Sequence, residues 1–393
     1  MDQLPESIDE WTVAVAHENL TSVSIHDMSL VSASKFGLSE FLPLRVIWRA
    51  VESTKFKGGD YELDHWMDDA KKYLKTYPSW SVYQQSFRLN KQPGEGNFYL
   101  AKLFQMDAAA VQSKEITNNV VFSPIKTRSM MKAAHDHYAT PTKSRNLAGD
   151  PASDSSIFQD IPSTRGSRGP EELWKQLYPK AEDEQIVNTA LVNFLRAITT
   201  PIPSIKSDWT IHRKSFKATF NDAEYEARTD GYLRGKDSSE ARVLIEVKAP
   251  LRVHKMSEIR MQESAQTVAW LKASPETPRN RPYRRVHVSQ DRHEIFLIFA
   301  KYGNEYLEYL NGTGNPPSDD PESFLTMHEV GPYNTKDRAD MEDLAPIIMA
   351  LVLRADDDRE AEQGKPQGPS QQDKGKSKVK VEVKGKGQGK KLF

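Results

Sequence analysis

The residues best suited to chemistry lie between Glu226 and Gln266. Within that stretch the run Val243-Leu244-Ile245-Glu246-Val247-Lys248-Ala249-Pro250 is apolar and β-branched, which predicts a buried strand. Glu246 and Lys248 are spaced by two, so on a strand both side chains point to one face. Charged groups on a core strand are costly unless they are paired or hold a metal. A carboxylate can bind a cation or a water, and an ammonium can neutralise developing negative charge. The alternative is a charged alternation on a solvent-facing sheet surface.

These groups need neighbouring elements to position them. Upstream, Glu224 to Leu233 is predicted as a strand, and the polar Gly235-Lys236-Asp237-Ser238-Ser239-Glu240 as a hairpin turn. The hairpin folds Asp230 back toward Glu246, sixteen residues on. Downstream of Pro250, Ser257 to Ala273 is predicted as a helix, with Ile259, Met261, Ala265, Val268, Ala269 and Leu271 as its apolar part. Gln262 and Gln266 are four apart and share a face of it. Arg260 and Glu263 fall on other faces, where a solvated surface is expected.

An acid, a hairpin, an E-x-K strand and then a helix bearing glutamine resembles the PD-(D/E)XK nuclease superfamily. Asp230 in Arg228-Thr229-Asp230-Gly231, Glu246-Val247-Lys248 and Gln262 carry the match, which covers roughly residues 180–312. The run Val288 to Ile298 looks like the strand that follows in fungal members. The resemblance implies a mixed α/β fold with a restriction-endonuclease-like core: helix, three strands, helix, strand, with a mixed central sheet flanked by helices. It implies hydrolysis of phosphodiester bonds with Mg²⁺ or Mn²⁺, which takes one or two carboxylates plus waters. Asp230 and Glu246 would be those carboxylates, and the carbonyl of Val247 a third ligand. Lys248 would orient the attacking water or stabilise charge, and Gln262 would set the substrate backbone or the lysine. The family often adds an acid from the first helix. Glu184 is three before Val187 and seven before Leu191, and Glu182 is its rival; for both the alternative is favourable charge at a helix N-terminus. Some families place tyrosine four residues after the glutamine, where this chain has Gln266.

The 393 residues suffice for about two domains, and the net charge of −1 leaves any attraction to nucleic acid local. The absence of cysteine excludes disulfides, thiolate zinc sites and cysteine nucleophiles. No H-E-x-x-H, P-loop or G-x-S-x-G pattern occurs. The acidic amino terminus lacks an apolar run, so an intracellular protein, nuclear or cytoplasmic, is expected.

Four regions are predicted. Residues 1–138 form a mainly helical part: helix from Phe41 to Tyr77, then strand-like residues from Trp80 to Phe104 whose aromatics read as core. Residues 139–170 read as a linker. Residues 171–355 form the nuclease-like domain. It includes a helix from Glu182 to Thr199, strands at Trp209–Phe220 and Glu294–Tyr302, a hairpin or short helix at Asn304–Leu310, and a closing helix from Asp340 to Arg354. Residues 356–393 read as a disordered Lys/Gly-rich tail, able to grip phosphates or merely to solubilise. Arg279, Arg281, Arg284 and Arg285 with Tyr283 form a basic cluster, either a nucleic-acid contact or a charged loop. The pair His135 and His137 carries no further signal. Three functions stay open: a metal-dependent nuclease, a catalytically silent module that keeps the fold to bind nucleic acid or a protein, or an interaction protein whose work is done by residues 1–140 with the nuclease-like part as a scaffold.

Overall fold

The structure is a computed structural model. It describes residues 3–28, 30–89, 93–110, 179–221, 223–274, 282–313 and 320–363, with side chains from 184 in the segment that opens at 179. The expected linker, the histidine pair, Arg279, Arg281 and the tail beyond 363 lie outside the described residues.

In chain order the elements are α1 (Ile8–His17), α2 (Leu38–Phe41), β1 (Val46–Val51), α3 (Asp64–Lys75), α4 (Pro78–Leu89) and α5 (Tyr99–Ala110). Then come α6 (Pro179–Thr199), β2 (Ser207–Thr210), β3 (Ser215–Thr219), β4 (Glu224–Arg228), β5 (Gly231–Gly235) and β6 (Val243–Lys248). The chain continues through α7 (Met256–Ala273), β7 (Arg285–Asp291), β8 (Glu294–Lys301), α8 (Asn304–Asn311), β9 (Leu325–Asn334) and α9 (Arg338–Gln363).

A seven-stranded sheet has the order β1-β9-β8-β7-β6-β5-β2, and β3 and β4 form a separate pair. β1/β9 and β6/β7 are parallel, and the other neighbours antiparallel. The expected mixed α/β class with a mixed central sheet flanked by helices is what the chain adopts.

β6 is buried along nearly its whole length, as its unbroken Val-Leu-Ile start requires of a strand covered on both faces. Ile245 and Val247 join a core with Val187, Leu191 and Phe194 of α6 and Ile348 of α9. Leu244 joins the opposite core with Met261, Ala265 and Val268 of α7. By alternation Glu246 and Lys248 share Leu244's face and point toward α7. The hairpin between β5 and β6 forms as expected, pairing Gly231 with Ile245 and Leu233 with Val243.

Several expectations are corrected. Trp80–Phe104 is helical, in α4 and α5. Trp80, Tyr83 and Phe87 recur at helical spacing, and Tyr83 stacks on Phe98 at 4.8 Å, so these aromatics do serve the core. Within Phe41–Tyr77, Val46–Val51 is a strand and α3 begins only at Asp64. The expected strands at Trp209–Phe220 and Glu224–Leu233 each break in two, with one half in each sheet. β7 (Arg285–Asp291) is a strand of its own, separate from β8, and β9 (Leu325–Asn334) is a strand where none was expected. α9 runs to Gln363, so residues 356–363 are helix and not tail. The expected boundary at 138 does not divide the sheet, because β1 pairs with β9 from Val46↔Leu325 to Val51↔Val330.

Candidate active site

β2, β6, β7 and β9 point the same way, so their C-terminal ends share one edge of the sheet. The candidate site lies on that edge, at the end of β6. Asp230 immediately precedes β5. Its N–H donates to Ile245 O at 3.0 Å. Its Oδ2 accepts the N–H of Val247 at 3.2 Å. Asn188 of α6 donates to its carbonyl at 3.1 Å. The exposed Arg213 guanidinium stands 3.4 Å from its Oδ1. Gly231 permits this approach, since a Cβ there would collide with the carbonyl of Thr210 on β2.

Glu246 is 2 % exposed. Its Oε1 accepts from Lys248 Nζ and from Gln262 Nε2, the latter at 2.5 Å. Its Oε2 accepts from Gln266 Nε2 at 2.6 Å. Gln266 donates also to the carbonyl of Arg228 at 2.8 Å. Burial pushes the Glu246 carboxyl up; Lys248 opposes this and Asp230 adds to it. For Lys248 burial disfavours charge, but Glu246, Asp230 and Glu184 outweigh it and hold the ammonium. Lys248 Nζ also donates to Val247 O at 3.2 Å.

The structure therefore brings Asp230, Glu246, Val247, Lys248 and Gln262 together, with Glu184 acting on Lys248 through charge. The side chain of Glu182 lies outside the described residues. Gln262 also lines a cleft of about 350 Å³ with Ser32, Ser34, Glu226 and Arg228, so the N-terminal segment reaches the site.

Asp230 and Glu246 are two hard oxygen donors on one hairpin, beside the Val247 carbonyl. In kind and number they fit the one or two carboxylates that Mg²⁺ or Mn²⁺ takes. Among the described residues no group of three or more His, Asp and Glu side chains is arranged to hold a metal. Both oxygens of Glu246 are engaged by side-chain donors.

Sequence reasoning missed what lies behind the site. Arg260 and Glu263, expected on a solvated surface, are buried. Arg252 is 1 % exposed and donates to Glu263 Oε1 at 2.6 Å, to Asp291 Oδ2 at 2.5 Å, to Ser289 Oγ at 2.9 Å and to Glu329. Arg260 completes the cluster with Glu329 Oε1 at 2.8 Å. Two guanidiniums thus face three carboxylates contributed by α7, β7 and β9. Of the basic cluster, the half-buried Arg284 pairs with Asp358 at 3.2 Å and Arg285 is buried against Trp270, so both are engaged within the fold. Gln266 had a signal, its spacing of four from Gln262. Asp291 had none, because a lone acid at a strand end reads as surface.

The fold and site define a mixed α/β protein with an acid–acid–lysine cluster at a sheet edge. No family model, no curated protein and no solved structure matches the chain. Among the described residues no helix is long and apolar enough to cross a membrane.

Proposed function

We propose that the chain is a metal-dependent nuclease that hydrolyses phosphodiester bonds, with α6, β5, β6 and α7 as a restriction-endonuclease-like core. The observation that carries the reading is the convergence of Asp230, Glu246 and Lys248 on one hairpin end, with Gln262 on Glu246. Mg²⁺ or Mn²⁺ would be held by Asp230 and Glu246, beside the Val247 carbonyl, and would supply a Lewis acid and an activated water. Lys248 stays charged and is placed to stabilise negative charge on the phosphate. Gln262 orients Glu246 from the cleft side, and Glu184 helps hold the ammonium.

The full engagement of Glu246 by Lys248, Gln262 and Gln266 favours a second reading, a silent module that binds nucleic acid or a protein partner. The deciding experiment is cleavage of labelled DNA and RNA with Mg²⁺ or Mn²⁺ against EDTA. Wild type is run beside Lys248→Ala and Asp230→Asn. Metal-dependent cutting lost in both variants is expected. Salt-sensitive binding without cutting by any folded form would instead favour the silent module.

A further inference from the structure

Lys248 and Asp291 end the parallel strands β6 and β7 and are register partners. Register partners in a parallel ladder present their side chains to the same face, here the one toward α7. The strand ends are tied together, since the N–H of Arg292 donates to the carbonyl of Lys248 at 2.9 Å. Asp291 is completely buried. Arg252 Nε holds its Oδ2 at 2.5 Å, while its Oδ1 has no hydrogen-bond partner among the described residues. A buried carboxylate oxygen without a donor is costly and asks for an explanation.

Glu246 has the opposite condition, with two donors on Oε1 and one on Oε2. A divalent cation and an ammonium repel each other and compete for the same oxygen. A cation at Glu246 would repel the ammonium now resting on Oε1 and so favour its moving away. The Lys248 side chain is 17 % exposed, so an ammonium displaced from Glu246 that stays within the fold, rather than turning to solvent, needs a second counter-charge. Asp291 Oδ1 is a buried acceptor one strand away, on the same face, and Lys248 already acts on that carboxylate through charge.

We propose that Lys248 has two stations. It rests on Glu246 Oε1 in the present arrangement and moves to Asp291 Oδ1 when a divalent cation engages Asp230 and Glu246. Asp291 is then a positioning residue that acts through Lys248, with Arg252 fixing the direction of its free oxygen. The inference rests on the cation part of the proposed function and needs no cleavage.

The test is calorimetric Mn²⁺ binding without nucleic acid, on wild type, Asp291→Asn, Lys248→Met and the double variant. Asp291→Asn is expected to weaken binding about tenfold or more, in the range found for groups that orient metal ligands. In the Lys248→Met background the same change should leave affinity unaltered. Wild-type affinity in Asp291→Asn overturns the two stations but leaves the cation site standing. An equal loss in both backgrounds also overturns them, since it would reflect packing alone. No Mn²⁺ binding by wild type or by Lys248→Met overturns the cation site and the two stations together. A Mn²⁺-bound crystal structure of the wild type guards against misfolded variants. Lys248 Nζ within hydrogen-bond distance of Asp291 Oδ1 is expected, and Nζ still on Glu246 refutes the move.

Discussion

Gln266 Nε2 donates to Glu246 Oε2 at 2.6 Å from a position with no solvent exposure. The bond ties the middle of α7 to the site strand, and the same nitrogen reaches the Arg228 carbonyl. Gln266→Leu should cost about 1–3 kcal/mol, the penalty for stranding buried polar groups. Gln262→Leu should cost less, because its side chain borders the open cleft. Urea denaturation of both variants checks the order, and equal costs would contradict it.

His287 lies fully buried on β7, with Thr267 Oγ1 3.0 Å from its Nε2. Burial, aided by Arg252, pushes its pKa down to about 3, against 6.5 for the ordinary imidazole. The unfolded chain therefore binds the extra proton between those values. The stability this group contributes is fully present above pH 6.5 and is lost as pH falls from there toward 3. The NMR shift of the His287 ring in the folded protein should stay constant from about pH 8 to 5. A titration midpoint near 6.5 would show that the ring is hydrated.

Arg252 faces Glu263, Asp291 and Glu329 at once. Arg252→Met removes the guanidinium shared by three buried acids, leaving Arg260 on Glu329 and the charge of Lys248 near Asp291, and should cost about 3–5 kcal/mol. Lys217→Ala, which breaks an exposed pair with Glu224 at 2.7 Å, should cost under about 1 kcal/mol. Chemical denaturation of the two variants gives the contrast directly.

Gly231→Ala places a methyl against the Thr210 carbonyl and within 3.2 Å of Ile245. The Thr210 carbonyl is backbone and cannot retreat without loosening β2, whereas the Ile245 Cδ1 methyl can turn aside. A loss of about 1–3 kcal/mol is expected. Mn²⁺ affinity should fall with it, since Asp230 is the adjoining residue. Unchanged melting would mean that the strands give way easily there.

The hairpin, Asp230, Glu246, Lys248 and the glutamine helix were legible because each rests on short-range signals: alternation, turn chemistry and helical spacing. β1 was not, because Val46-Ile47-Trp48 suits either a helix or a strand until its distant partner is known. α4 was misread because its aromatics favour strands by propensity, while their spacing of three and four places them on a helix. The charged cluster behind the site was invisible for a further reason. Arg252, Arg260, Glu263, Asp291 and Glu329 are unremarkable singly, and only the fold gathers them from α7, the turn before it, β7 and β9.

The pairing of β1 with β9 also has a temporal side. Val46 leaves the ribosome early, but its partner Leu325 follows 279 residues later. At about 5–20 residues per second, the nascent strand waits on the order of tens of seconds with its apolar run unpaired. During that time Val46, Ile47 and Trp48 are open to trapping by other chains, or to shelter by a chaperone. β1 can dock on β9 only once β9 has been made, so this edge of the sheet cannot form in the order of synthesis.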